Sequence, residues 1–188
     1  MKHIADLLFE ARMLKEIPRS GFQFLGAGRE SVAEHVYTAT FVAYVMAQMH
    51  PEADALKLIS LALVHDLPEA RTGDLNSVQK AYVRADEAAA VADATRALPF
   101  GPRLEALIVD YRDGQSLEAM LARDADQIAL ILELKDLKDI GYAPPNDWLP
   151  PVLTRLQTET GRALAAAVMA TRRDSWWWEA AASTERQR

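Results

Sequence analysis

Cysteine is absent from this chain, which excludes disulfides, thiolate metal ligands and a cysteine nucleophile. Any metal must therefore be held by histidine and carboxylate. No apolar run approaches the ~18 residues that a membrane-spanning helix requires. The opening Met1-Lys2-His3-Ile4-Ala5-Asp6 carries acid early where a secretory leader would be apolar, so the expected compartment is the cytoplasm, with no membrane partner. Positive charge is also in deficit. With 21 Lys and Arg against 27 Asp and Glu, the formal charge is −6, and a nucleic-acid polymer finds no basic face on which to displace counterions. A small phosphate ester remains open, because a few local cations plus a metal suffice for it. There is no Gly-x-x-x-x-Gly-Lys-Ser/Thr phosphate loop and no Gly-x-Ser-x-Gly elbow, and Gly26-Ala27-Gly28 is too short to cradle a phosphate.

Strict alternation of apolar and polar residues is missing as well, whereas helical spacing recurs throughout, so the chain reads as all-α. Its 188 residues, half of them hydrophobic, suit one domain with one core. An amphipathic helix is expected over 4–14, stopped by Pro18, then a glycine-containing loop over 19–30. Ser31-Val32-Ala33-Glu34 has the form of a capping box opening a helix to about Met49. Residues 53–64 are apolar on nearly all sides, which predicts a central helix ending at His65-Asp66, and Pro68 then allows only a short helical turn. Further helices are expected over 78–98, ended by Pro99 and Gly101-Pro102, over about 103–111, and over 117–140, stopped by Gly141. The remainder reads as C-terminal helices over about 148–180 added to a core of about 1–140, with a frayed tail from about 180. Trp176-Trp177-Trp178 point three ways around a helix, so either the domain or a partner subunit must cover them.

The adjacent pair His65-Asp66 offers a divalent cation one nitrogen and one carboxylate. His35 lies thirty residues upstream and Asp126 sixty residues beyond Asp66, each in its own predicted helix. Taken alone, either histidine reads as a hydrogen-bonded core residue. Leu67-Pro68-Glu69-Ala70-Arg71-Thr72-Gly73-Asp74 changes the balance, since burying Asp66, Glu69 and Asp74 together without a cation would be costly.

Ser31-Val32-Ala33-Glu34-His35, His65-Asp66-Leu67-Pro68-Glu69 and Asp124-Ala125-Asp126-Gln127 together resemble the HD-domain superfamily of metal-dependent phosphohydrolases. Within it, His65-Asp66-x-x-Glu69-x-x-x-Gly73-Asp74 resembles the bacterial 5′-deoxynucleotidase branch and its eukaryotic relatives. The resemblance implies an all-α, single-domain HD-type bundle with one metal bound by His35, His65, Asp66 and Asp126. Asp124 competes for the fourth place. On a helix the two aspartates point about 200° apart, so one ion does not take both. Two imidazoles and two carboxylates leave positions open for water and phosphate, and they suit Mn²⁺, Co²⁺, Fe²⁺ or Zn²⁺ better than Mg²⁺.

By the same resemblance Glu69 is the general acid or base, Asp74 contacts the sugar hydroxyl, and Arg19 binds phosphate, with Phe22 near where an aromatic often follows that arginine. Arg29, Arg71 and Lys80 are alternatives to Arg19, and Asp74 also reads as a helix cap after Gly73. The implied activity is removal of the 5′-phosphate from nucleoside monophosphates by a homodimer. Triphosphates, cyclic nucleotides, alarmones and a non-catalytic nucleotide-binding module are the competing readings. No second group of histidines follows the pair to hold another metal, which disfavours two-metal cyclic-dinucleotide enzymes.

Overall fold

A computed structural model describes residues 1–185, and all its named elements are helical. They are α1 (Lys2–Met13), α2 (Gly21–Leu25), α3 (Val32–Met49), α4 (Ala55–Val64), α5 (Glu69–Thr72), α6 (Glu87–Thr95), α7 (Gly101–Asp113), α8 (Leu117–Asp139), α9 (Pro145–Leu153), α10 (Glu159–Ala170) and α11 (Ser175–Glu185). A 3₁₀ turn, Gln79–Ala81, follows α5. No helix among the described residues is long and apolar enough to cross a membrane.

Side chains at the helix starts fix where the central helices begin. The capping box at α3 is formed: Ser31 Oγ accepts from the Glu34 amide at 3.2 Å, and the Glu34 carboxylate accepts from the Ser31 amide at 2.6 Å. Asp54 caps α4 through the Lys57 amide at 3.0 Å, and its own N–H donates to Glu118 of α8 at 3.0 Å. Ser116 caps α8. α3, α4 and α8 pack pairwise, burying Met46, Leu58, Leu61, Leu121, Ile128 and Ile131 completely. Each such side chain contributes about 1.5–3 kcal/mol on leaving water, so this three-helix contact dominates the fold. α9 and α10 lie along α8 and add Leu149, Val152 and Ala165, so the C-terminal helices share the core rather than append to it.

Several boundaries depart from the sequence expectation. The helix expected over 78–98 is broken. Asn76 Oδ1 accepts from the amides of Val78 and Gln79, and Asp86 restarts the chain as the cap of α6, so local capping overrides alanine propensity. Tyr82 and Val83 are left 87% and 51% exposed between the two pieces. The loop over 19–30 contains α2, closed by Gly26 in the left-handed region (φ 83°) and by the Tyr142 hydroxyl donating to Leu25 O at 2.5 Å.

Gly101-Pro102 open α7 rather than ending its predecessor, and Pro145 opens α9, since a proline in the first turn forfeits no helical hydrogen bond. The α4 helix is less enclosed than its composition suggests, with Leu56 and Leu63 exposed. α11 continues to Glu185, where fraying was expected from 180; residues 186–188 of that expected tail lie outside the described residues. The tryptophans Trp176, Trp177 and Trp178 remain exposed on α11 and do not dock on their own domain.

Candidate metal centre

Three of the central helices deliver the candidate ligands to one point. His35 stands one turn inside α3, His65 caps the C-terminus of α4 with Asp66 next to it, and Asp126 lies midway along α8. Ligand atoms of His35, His65 and Asp126 lie within 4.8 Å of one another. His35 Nε2 is 2.8 Å from Asp126 Oδ1, and His65 Nε2 is 3.2 Å from Asp66 Oδ2. His65 Nδ1 donates to Ala62 O at 2.7 Å, which leaves Nε2 as that ring's ligand atom.

Asp124 is placed elsewhere. Fully buried, it accepts from the Gln157 amide at 2.7 Å, the Thr158 amide at 2.8 Å and the Thr158 hydroxyl at 2.6 Å. This junction separates α9 from α10, and Thr158 in turn caps α10.

Donor chemistry and unmet hydrogen bonds both fit a cation. His65 Nε2, Asp66 Oδ2 and Glu69 Oε2 are buried without a hydrogen bond of acceptable geometry. Buried polar atoms are rarely left so, and here they converge with two histidines and a second carboxylate, the mixed N/O set that divalent transition metals accept.

Electrostatics say the same. Burial opposes a charge on His65, but the Asp66 carboxylate outweighs it and raises the imidazole to about 9. Burial likewise opposes ionisation of Asp66 and Asp126, yet His65 holds Asp66 below the usual carboxylate range, and the hydrogen bond from His35 does so for Asp126. A proton on imidazole thus supplies positive charge that these carboxylates demand. Glu69 goes the other way: burial first, then Asp66 and Asp74, raise it to about 9.

An isolated antiparallel bridge between Pro18 and Ser31 pinches the loop over 19–30 shut, and the Arg19 amide donates to Glu30 O at 2.8 Å. This brings Arg19 to the centre. Its Nη1 is 3.5 Å from Asp66 Oδ2, and its Nε is 3.9 Å from Glu30 and 4.0 Å from Asp74. Burial disfavours the guanidinium charge, but Asp66 and Asp74 more than restore it. Asp74 accepts from the Ser20 amide at 2.8 Å instead of capping the next turn, which Asn76 does. Of the alternative cations, Arg71 is bound to Glu10 at 2.5 and 2.9 Å, Arg29 lines neither cavity beside the centre, and exposed Lys80 lines both.

The larger cavity, about 640 Å³, is walled by Asp66, Glu69, Asp126, Arg19 and Asp74 and by the apolar Phe22, Leu130, Trp148 and Val152. The smaller, about 380 Å³, shares Asp66, Glu69, Lys80 and Asp126 and is completed by α6 and α7. Sequence reasoning passed over Tyr111, Gln127, Glu30 and Trp148. Only Gln127 carried a signal, as the neighbour of Asp126.

Residues 11–168 match the model of the HD domain family, and the chain belongs to that family. Human 5′-deoxynucleotidase HDDC2 is 31% identical over 137 residues, covering 70% of this chain and 66% of that protein. The Bos taurus protein of the same name is 30% identical over 149 residues, covering 76% and 72%. The solved structure of a conserved hypothetical protein from Pyrococcus furiosus superposes with a TM-score of 0.77 at 28% identity, over 89% of this chain and 99% of that one. The chain thus spans about two thirds of the human relative's length. The family implies a divalent metal, and the His/Asp group is where this chain could hold it.

Proposed function

We propose that this protein is a metal-dependent phosphohydrolase that removes the 5′-phosphate from nucleoside 5′-monophosphates, deoxyribonucleotides preferred. One observation carries the reading: a His/Asp cluster with unmet polar atoms opens into a cavity of about 640 Å³ that is anionic and arginine-bearing on one part of its wall and aromatic on another. Such a cavity is of the size that takes a small ligand, and its two kinds of wall suit a phosphate and a base. The names of the human and bovine relatives support the substrate class.

His35, His65, Asp66 and Asp126 hold one divalent cation, with Mn²⁺, Co²⁺, Fe²⁺ or Zn²⁺ favoured over Mg²⁺ by the nitrogen ligands. When bound, it supplies Lewis-acid polarisation of the phosphate and a lowered pKa for water. Arg19 pairs its guanidinium with the phosphate oxygens, a geometry that planar N–H donors match. Burial, Asp66 and Asp74 raise Glu69 to about 9 in the metal-free protein, which suits it to hold a proton and donate it from its carboxyl to the departing 5′-oxygen. Asp74, fixed through Ser20, accepts from the sugar hydroxyl. Phe22 and Trp148 give the base an apolar wall, and closure of the loop by the Pro18–Ser31 bridge keeps Arg19 at the phosphate end.

The same reading makes the protein a cytoplasmic homodimer. The exposed Tyr37, Phe41 and Tyr44 on one face of α3, together with Trp176–Trp178, supply apolar surface that a second copy would cover. Light scattering tests the dimer. The activity is tested by phosphate release from deoxyribo- and ribonucleoside 5′-monophosphates, using metal-stripped protein refilled with Mn²⁺, Co²⁺, Zn²⁺ or Mg²⁺. Metal-dependent release is expected. No release with metal bound rejects the substrate and brings triphosphates, alarmones or a non-catalytic module forward.

A further inference from the structure

The side chain of Tyr111, from the last turn of α7, touches two candidate ligands that come from two other helices. Its hydroxyl donates to Asp126 Oδ2 at 3.2 Å, and its ring lies with its centroid 4.8 Å from that of His65. Asp126 Oδ2 also accepts from Gln127 Nε2 at 2.9 Å, while Oδ1 faces His35 Nε2 at 2.8 Å. Two donors therefore occupy Oδ2, leaving Oδ1, whose partner is the candidate ligand His35, as the oxygen turned toward the site. The same pair of donors fixes the rotation of the carboxylate about its Cβ–Cγ bond.

Tyr111 is itself held. Arg123 of α8 donates from Nε to Tyr111 O at 2.8 Å, hydrogen-bonds Arg112 O, and sets its guanidinium carbon 5.9 Å from the Tyr111 ring centroid. Gly114 ends α7 at φ 65°, and a Cβ there would collide with the Arg123 guanidinium. The end of α7 is thus clamped to α8 one turn before Asp126. Tyr111 lines the smaller cavity and not the larger one in which the nucleotide is placed.

We propose that Tyr111 is a positioning residue for the metal centre: it orients Asp126 by hydrogen bond and buttresses His65 by ring contact, and so sets the affinity of the site for a divalent cation without touching substrate. The inference rests on the metal reading of the His/Asp cluster. Outer partners that orient metal ligands typically change affinity by about 10–100-fold when removed.

Calorimetric titration of Co²⁺ into metal-stripped wild type, Tyr111→Phe and Tyr111→Leu tests it without substrate. Tyr111→Phe keeps the ring and loses the hydroxyl. Its Kd for Co²⁺ should rise about 10–100-fold while the Tm of the metal-free protein stays unchanged. Tyr111→Leu also loses the buttress and should bind more weakly still. The visible absorption of the Co²⁺ form should shift in Tyr111→Phe, reporting a changed coordination sphere that a purely structural role would leave alone. A Kd within twofold of wild type in Tyr111→Phe overturns the inference, whether or not its metal-free Tm falls. Wild type that binds no Co²⁺ overturns it together with the metal reading. Intact Kd shifts alongside absent phosphate release would instead fault the substrate assignment and leave Tyr111 its role.

Discussion

Asp124 and Asp126 stand two residues apart on α8, are the same amino acid, and have opposite environments. Asp124 is fully buried and accepts three hydrogen bonds from the chain around Gln157 and Thr158. Asp126 is held only by side chains, Tyr111, Gln127 and the candidate ligand His35, and it stands beside His65, Asp66 and Glu69, which have buried polar atoms without a partner. Backbone and hydroxyl donors that satisfy a buried carboxylate make it a staple. A carboxylate held by side chains among unmet ligand atoms is placed for a cation, and the contrast separates structure from function more sharply than burial does.

The sharpest break of that comparison exchanges each carboxylate for an amide. In Asp126→Asn, phosphate release and Co²⁺ binding should both drop below detection, while the metal-free protein, losing the ion pair with His35, melts only slightly below wild type. Asp124→Asn should behave in reverse. Its NH₂ group would oppose one or two of the three donors, at a cost of about 1–3 kcal/mol for each buried group left unsatisfied, which lowers Tm by roughly 5–10 °C. Turnover per folded molecule should persist. A Tm loss at Asp126 with turnover spared, or the converse at Asp124, would reverse the assignment.

Next in size is Glu69→Gln, which removes the proton donor but no ligand. Its kcat should fall by about 10²–10⁴, the range for general acid–base groups, with the Kd for Co²⁺ held within a few fold. Equal losses in kcat and metal affinity would make Glu69 a ligand instead.

How far such contrasts can be read from sequence depends on how local they are. The Ser31/Glu34 box, the His65-Asp66 pair and the Gly141 stop are written in adjacent residues, and the structure has each where spacing predicted a helix start or end. The choice of Asp126 beside the histidines came from the family resemblance. Helical phase added only that Asp124 and Asp126 face apart, and the partner that occupies Asp124, Thr158, lies 34 residues away. The break at 82–86 hid behind alanine-rich periodicity, because Asn76 and Asp86 compete through side-chain caps that a hydrophobic pattern does not register. Tyr111 stayed invisible for the strongest reason: its meaning lies entirely in contacts to other helices.

Arginine offers a parallel comparison with a smaller effect. Arg19 and Arg71 both lie near the centre in sequence terms, yet Arg71 is spent on Glu10 at 2.9 Å while Arg19 sits 3.5 Å from Asp66 with room for an anion in the larger cavity. Charged hydrogen bonds are each worth about 1.5–3 kcal/mol, so Arg19→Ala should lower kcat/KM about 10–100-fold. Most of that should sit in KM. Arg71→Ala should leave both constants within about twofold, since an exposed ion pair contributes at most ~1 kcal/mol to stability. Steady-state kinetics of the two variants side by side decide whether Arg19 holds phosphate.

Acidity gives the smallest and most graded effect. In metal-free protein His65 is raised from 6.5 to about 9, and Glu69 from 4.5 to about 9, with Glu30 raised to about 8 mainly by burial and Glu133. Each binds its proton more tightly folded than unfolded. Their contributions to stability are therefore complete below the unfolded values and are lost as pH rises through about 8 to 9. Asp66 and Asp126 have the opposite sign, being depressed, and lose their contribution only as pH falls below 3.8. The Tm of metal-free protein should accordingly decline between pH 6.5 and 9. A cation competes with the His65 proton for Nε2, so its affinity should grow with pH, by about tenfold per unit for each proton displaced. Thermal melts with and without Co²⁺ should diverge across that window. Asp124→Asn should retain the divergence at a lower baseline, whereas His65→Asn should flatten it. Divergence that survives His65→Asn would mean the proton being displaced sits elsewhere, and with it the claim that imidazolium and metal occupy one place in turn.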